Sequence, residues 1–151
     1  MKSKNIKDNK KVSFDFEILD SYEAGIALRG HEVKSIRQGN VNIRGSYASV
    51  RGSEIFLCDM TVARFNKTGK EVDEKRDRKL LLKKREILKI QKSLDTKGVT
   101  CMIKRIYLKR GLIKAEIVVA RGRKKHDKRR LLRERSLDRE AAQAMKKRIR
   151  T

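Results

Sequence analysis

The stretch Thr100-Cys101-Met102-Ile103-Lys104-Arg105-Ile106-Tyr107-Leu108-Lys109-Arg110-Gly111-Leu112-Ile113-Lys114-Ala115-Glu116-Ile117-Val118-Val119-Ala120 decides the fold class. Two aliphatic, β-branched runs, Thr100 to Lys109 and Leu112 to Ala120, flank Arg110-Gly111, where glycine allows a tight turn. In the second run Ile113, Ala115, Ile117 and Val119 recur at alternate positions, so they share one face of a strand. The pair reads as a hairpin.

Working outward, the same signals repeat. Ser46 to Val50 and Glu54 to Cys58 flank Arg51-Gly52-Ser53, a second hairpin. Near the start, Val12, Phe14, Phe16 and Ile18 alternate with Ser13, Asp15 and Glu17. That predicts a half-buried strand, continued after a bend at Gly25 by Ala24 to Leu28. Two helices interrupt the strands. Glu32 to Gln38 sets Val33 and Ile36 on one side and stops at Gly39-Asn40. Lys79 to Leu94 spaces Leu80, Ile87 and Leu94 seven apart, with Lys and Arg on its other face and Gly98 beyond. Short strands with one inserted helix predict a mainly β chain with helices, folded as a small oligonucleotide/oligosaccharide-binding (OB) barrel. Phe65 to Arg78 has the least pattern and reads as a mobile, exposed connection around Asn66-Lys67-Thr68-Gly69-Lys70.

Charge divides the chain and names its partner class. Its 151 residues carry 42 Lys and Arg against 19 Asp and Glu, a net charge of +23. Ten of those charges fall in Arg121 to Thr151, where 14 basic residues meet 4 acidic ones. The expected organisation is a basic arm over 1–11, a body over 12–121, and a basic tail over 122–151. So strong an excess repels itself unless a polyanion lies beside it, and nucleic acid fits better than an anionic membrane.

Other functions drop out on chemistry. Apolar runs such as Ile117 to Ala120 span four residues, far short of a membrane helix, and the basic start lacks a signal peptide's apolar stretch. Cys58 and Cys101 are the only two cysteines, expected as reduced core thiols in a cytoplasmic protein. His31 and His126 stand at no metal-ligand spacing from them, so neither metal nor cofactor is expected. A phosphate-binding loop at Gly69-Lys70 fails because Arg64 and Glu71 stand where glycine and a hydroxyl are required. Asp15/Glu17 and Asp73/Glu74/Asp77 sit among Lys and Arg, as ion pairs would, and do not suggest the carboxylate set of a metal nuclease.

The run from Tyr22 to Arg37, Tyr-Glu-Ala-Gly-Ile-Ala-Leu-Arg-Gly-His-Glu-Val-Lys-Ser-Ile-Arg, strongly resembles the small protein B (SmpB) family, partners of transfer-messenger RNA (tmRNA). Three further blocks follow in family order: Asn42-Ile43 with Ser46-Tyr47, Arg78 to Leu82, and Gly122 to Arg129. The resemblance covers about Lys10 to Met145 and implies a six-stranded antiparallel OB-type barrel with appended helices and no enzymatic activity. It also implies a function. Such a protein binds the tRNA-like domain of tmRNA, brings it to ribosomes stalled without a stop codon, and stands in for the missing anticodon arm. Its tail probes the empty message channel near the decoding centre, while elongation factor Tu and alanyl-tRNA synthetase meet it only through the RNA. It is expected to be cytoplasmic and monomeric, with no membrane partner.

The residues that match carry specific expectations. Tyr22, Glu23, Gly30, Glu32, Lys34, Arg37, Leu81 and Lys83 form the expected tmRNA contact set. A carboxylate at Glu23 accepts from base amino groups or 2′-hydroxyls and repels phosphate, which confers selectivity on a basic surface; the alternative is an ion pair. Tyr22 either stacks on a base or packs in the barrel. Glu32 either meets RNA or favours the start of its own helix. Helical spacing alone makes Leu81 a core residue. Lys83 stands where the family commonly has Asn or His, so a phosphate contact replaces a base or sugar contact there. In the tail, Lys124, Lys125, His126, Asp127, Lys128, Arg129 and Met145 are the expected ribosome contacts, with His126 stacking on ribosomal RNA and Lys128 and Arg129 gripping its backbone. Isolated helices of this length and charge are marginal, so the tail is expected to be disordered alone and helical on the ribosome. The rival readings are a resident ribosomal or ribosome-assembly protein and an RNA-processing enzyme.

Overall fold

A computed structural model describes residues 3–64 and 73–150. In chain order its elements are β1 (Lys4–Asp8), α1 (Lys10–Asp15), β2 (Phe16–Ile26), α2 (Gly30–Arg37), β3 (Val41–Asn42), β4 (Tyr47–Arg51), β5 (Glu54–Cys58), β6 (Thr61–Val62), β7 (Arg78–Leu81), α3 (Lys84–Leu94), β8 (Val99–Lys109), β9 (Leu112–Gly122) and α4 (Lys125–Arg150). Strands β8, β4, β5, β7, β2 and β9 are hydrogen-bonded neighbours in that order, and β9 returns to β8, so six antiparallel strands close into a ring. Closure removes the edges that an open sheet would expose.

Both expected hairpins are present. Lys109 faces Leu112 across Arg110-Gly111, two residues with φ of 52° and 75°, the left-handed pair that matches strand twist. Arg51 faces Glu54 in the other. Ile113, Ala115, Ile117 and Val119 point together into the core with Ile55, Leu57, Leu80, Ile103 and Ile106. Helix α2 stops where Gly39 takes a φ of 81°.

Three expectations are corrected. The segment read as a strand from Val12 begins as helix α1, and only from Phe16 is it extended. Strand β1 runs beside β8 and β2 beside β9, so the chain must change partners between them, and one helical turn anchored by Val12 makes that crossing. Part of the basic arm, Lys4 to Asp8, is thus drawn into the sheet. Helix α3 starts at Lys84 rather than Lys79: Arg78 and Leu80 are buried, Lys79 and Leu81 exposed, the two-residue period of strand β7. Leu80 bridges to Ile55 and Ile26, reaching the same core as Ile87, so the seven-residue spacing survives a change of element. Finally, β2 passes through Gly25 without a break, and a methyl there would lie 3.3 Å from Leu81. Glycine gives Leu81 room for that close approach, where β2 leaves β9 for β7.

Candidate nucleic-acid interface

Around the β2–β7 seam and the start of α3 an open cleft of about 620 Å³ is lined by Glu23, Lys79, Leu81, Lys83 and Lys84, among others. Leu81 is 54% exposed, because β7 turns it outward, and it also borders a smaller hollow with Gly25, Leu28, Val33, Leu112 and Lys114. Glu54, paired with Lys79 at 3.2 Å, and Glu86 also line the cleft, so the exposed leucine offers an apolar contact inside a rim of mixed charge. Lys83 is exposed at the N-cap of α3, where its backbone N–H donates to Glu86.

Glu23 sits half-exposed at the rim. It accepts hydrogen bonds from the Tyr107 hydroxyl and from Lys109 Nζ at 3.2 and 3.3 Å. The Tyr107 bond, aided by Lys109 and opposed by partial burial, holds its carboxyl below the usual glutamate range. It is therefore an ionised acceptor in a basic setting. Tyr22 is half-buried against the core and its hydroxyl donates to Asp20 at 2.8 Å; burial, then that bond, pushes its pKa to about 12. The ring thus packs against the barrel core and keeps a partly exposed side.

Glu32 is not on the surface. It is 1% exposed and accepts hydrogen bonds from Arg78 Nε at 2.7 Å, Arg76 Nη2 at 2.5 Å and the Arg29 backbone N–H at 2.8 Å, with Arg78 Nη2 ion-paired at 2.6 Å. Burial opposes its ionisation, but these donors hold its pKa below the ordinary value. Its place in the RNA contact set is corrected to a support beneath the surface, since both its oxygens face inward donors. Arg78, read in the sequence as the end of an exposed connection, is fully buried and also donates to the carbonyls of Met60, Glu74 and Arg76. One buried ion-paired group thus holds the Glu74–Arg78 end of the expected Phe65 to Arg78 connection, and its remainder, 65–72, lies outside the described residues. Arg78 opens one of the family-resembling blocks, but charge and spacing alone do not distinguish it from the surrounding surface charges.

From α2, Lys34 and Arg37 are exposed, and Arg37 donates to the Gly111 carbonyl at 3.1 Å, tying α2 to the β8–β9 turn. Gly30 is exposed with open space around it. The tail departs as α4. Arg123 donates its backbone N–H to Asp15 at 2.8 Å, Lys128 pairs with Asp15 at 3.3 Å, and Arg135 lies over the Phe14 ring at 5.7 Å, so α1 seats the root of the tail. Lys124 and Arg129 are exposed, as is Met145 at 69%. The side chains of Lys125, His126 and Asp127 lie outside the described residues. Among the described residues no three His, Cys, Asp or Glu gather as a metal set, and no helix is long and apolar enough to cross a membrane.

The closed six-strand ring, with a cleft of mixed charge at the β2–β7 seam, defines an OB-like barrel with appended helices. The family model described as SmpB protein matches residues 6–147, and the chain belongs to that family. The SsrA-binding protein of Persephonella marina is 42% identical over 147 residues, covering 97% of each chain. That of Wolinella succinogenes is 44% identical over 149 residues, covering 97% of this chain and 99% of its own. A solved structure described as "tmRNA-SmpB: a journey to the center of the bacterial ribosome" matches with a TM-score of 0.67 and 40% identity, covering 79% of this chain and 85% of that one.

Proposed function

We infer that this chain binds SsrA RNA (tmRNA) at the tRNA-like domain, delivers it to stalled bacterial ribosomes, and takes part in trans-translation as a binding factor without a reaction of its own. The relatives' shared name and the ribosomal setting of the solved neighbour support this, and a ribosomal partner supports a cytoplasmic location. Elongation factor Tu and alanyl-tRNA synthetase reach it through the RNA. The observation that carries the site assignment is that Glu23, Leu81 and Lys83, from β2, β7 and the start of α3, line one cleft. There Glu23 accepts from base amino groups or 2′-hydroxyls, Leu81 lies against an unstacked base or ribose, and Lys83 with Lys34 and Arg37 meets phosphate. The body replaces the anticodon arm, and α4 enters the empty message channel, with His126 stacking on ribosomal RNA and Lys124, Lys125, Lys128, Arg129 and Met145 along its walls. Lys128 then exchanges Asp15 for a phosphate.

Titration of a labelled tRNA-like domain tests this. Glu23→Ala is expected to weaken binding more than tenfold while leaving the thermal midpoint nearly unchanged, because the Glu23 carboxylate is itself half-exposed and its ion pair with Lys109 is screened by solvent. Unaltered affinity removes Glu23 from the interface.

A further inference from the structure

Strand β8 changes face in its middle. Cys101 and Ile103 point into the core; then the register against β9 slips between Ile103 and Arg105, and from there Ile106 and Leu108 point inward. Without that bulge, Arg105, Tyr107 and Lys109 would continue the inward row. With it, they form one row on the outer face. Each of the three acts on the same pair of carboxylates. Glu23 on β2 stands directly opposite Glu116 on β9, a pairing that repels. Arg105 Nε donates to Glu116 at 2.7 Å and removes that repulsion, while its guanidinium covers the Tyr107 ring at 4.5 Å. Tyr107 is 3% exposed, yet its hydroxyl reaches across β9 to donate to Glu23 Oε2. Lys109 holds the same carboxylate from the solvent side.

We propose that Tyr107 is a positioning residue for RNA recognition: buried out of reach of any ligand, it clamps one oxygen of Glu23 so that the other is aimed at hydrogen-bond donors of the RNA. The proposal rests on the reading of Glu23 as an RNA contact. A carboxylate has more acceptor capacity than Tyr107 and Lys109 use, and Oε1 is the less engaged oxygen. A glutamate on an exposed strand face otherwise loses rotamer freedom when it binds, which weakens affinity roughly three- to tenfold. With Tyr107 in place, that ordering is complete before the RNA arrives.

The test is a double-mutant cycle with full-length protein and a labelled tRNA-like domain transcript of tmRNA, at one salt concentration. Tyr107→Phe keeps the ring and its contact with Arg105, and circular dichroism checks that the barrel is intact. The expected results are a loss above tenfold for Glu23→Gln, a loss of roughly three- to tenfold for Tyr107→Phe, and no further loss on adding Tyr107→Phe to Glu23→Gln. A generally loosened barrel would instead make the two losses multiply, which overturns the proposal. So does a Tyr107→Phe protein that binds like the parent while Glu23→Gln is impaired. If Glu23→Gln itself binds like the parent, the contact role of Glu23 fails first, and the role of Tyr107 fails with it.

Discussion

Replacing Glu32 by Gln separates support from contact. The side chain is 2% exposed and bound by Arg78, itself fully buried, and by Arg76, which is 23% exposed. Glutamine keeps the shape and one acceptor oxygen but leaves the Arg78 cation without its counter-charge. Breaking a buried pair by removing one partner costs about 3–5 kcal/mol; the carbonyls that Arg78 also meets soften this, so about 3 kcal/mol is expected. For a chain of this size that corresponds to a fall in thermal midpoint of about 6–12 °C. The sign with pH follows from the lowered pKa. Glu32 contributes its full stabilisation above its unfolded value near 4.5 and loses it as pH falls through the lower folded value, so the gap between parent and Glu32→Gln narrows in acid. Thermal melts by circular dichroism at several pH values measure this, and RNA titration well below both midpoints completes it. Affinity should change by less than about twofold, since this group presents nothing to a ligand. An unchanged midpoint with a large loss of RNA affinity would refute the reasoning and return Glu32 to the interface.

Three other outcomes are expected. Deleting residues 124–151 leaves RNA affinity mostly intact, since the cleft lies on the barrel, but abolishes peptide tagging on stalled ribosomes; tagging by the truncated protein contradicts the tail assignment. The same deletion lowers the midpoint little, because the exposed Lys128–Asp15 pair and the Arg135–Phe14 contact each contribute about 1 kcal/mol or less. Native protein reacts slowly with a thiol reagent until unfolded: Cys58 and Cys101 are both buried, and burial pushes Cys101 to about 12. Rapid labelling at neutral pH would contradict their placement in the core.

The parts of the fold legible in the sequence are those whose signal is repeated. The β8–β9 hairpin has two long runs and a glycine turn, and α2 has both a buried stripe and a stop signal. Short elements gave no such repetition. Helix α1 and strand β7 span six and four residues, too few for a period to be distinguished from its rival, and their form is set by which strands the chain must next pair with. Of the cleft, Glu23 and Leu81 are named through family resemblance, and Lys83 as a departure from it. Helical spacing makes Leu81 a core residue, and only the strand shows that it faces out. Arg78 and Tyr107 were not legible. The first looks like its surface neighbours until burial is known, and the second depends on a bulge that reverses the face of β8. Glu32 fits both of its readings in sequence, and only its two inward arginines decide between them.

The central claim is selective binding of one RNA by a barrel whose basic charge alone would hold any RNA. Purification of the protein from its native host, at a salt concentration high enough to weaken contacts to phosphate alone, followed by sequencing of the RNA that remains bound, tests it most directly. The account predicts one stoichiometric transcript with a tRNA-like, alanine-accepting end. Recovery of unselected cellular RNA, or of a single ribosomal RNA in a fixed ratio to the protein, would contradict it.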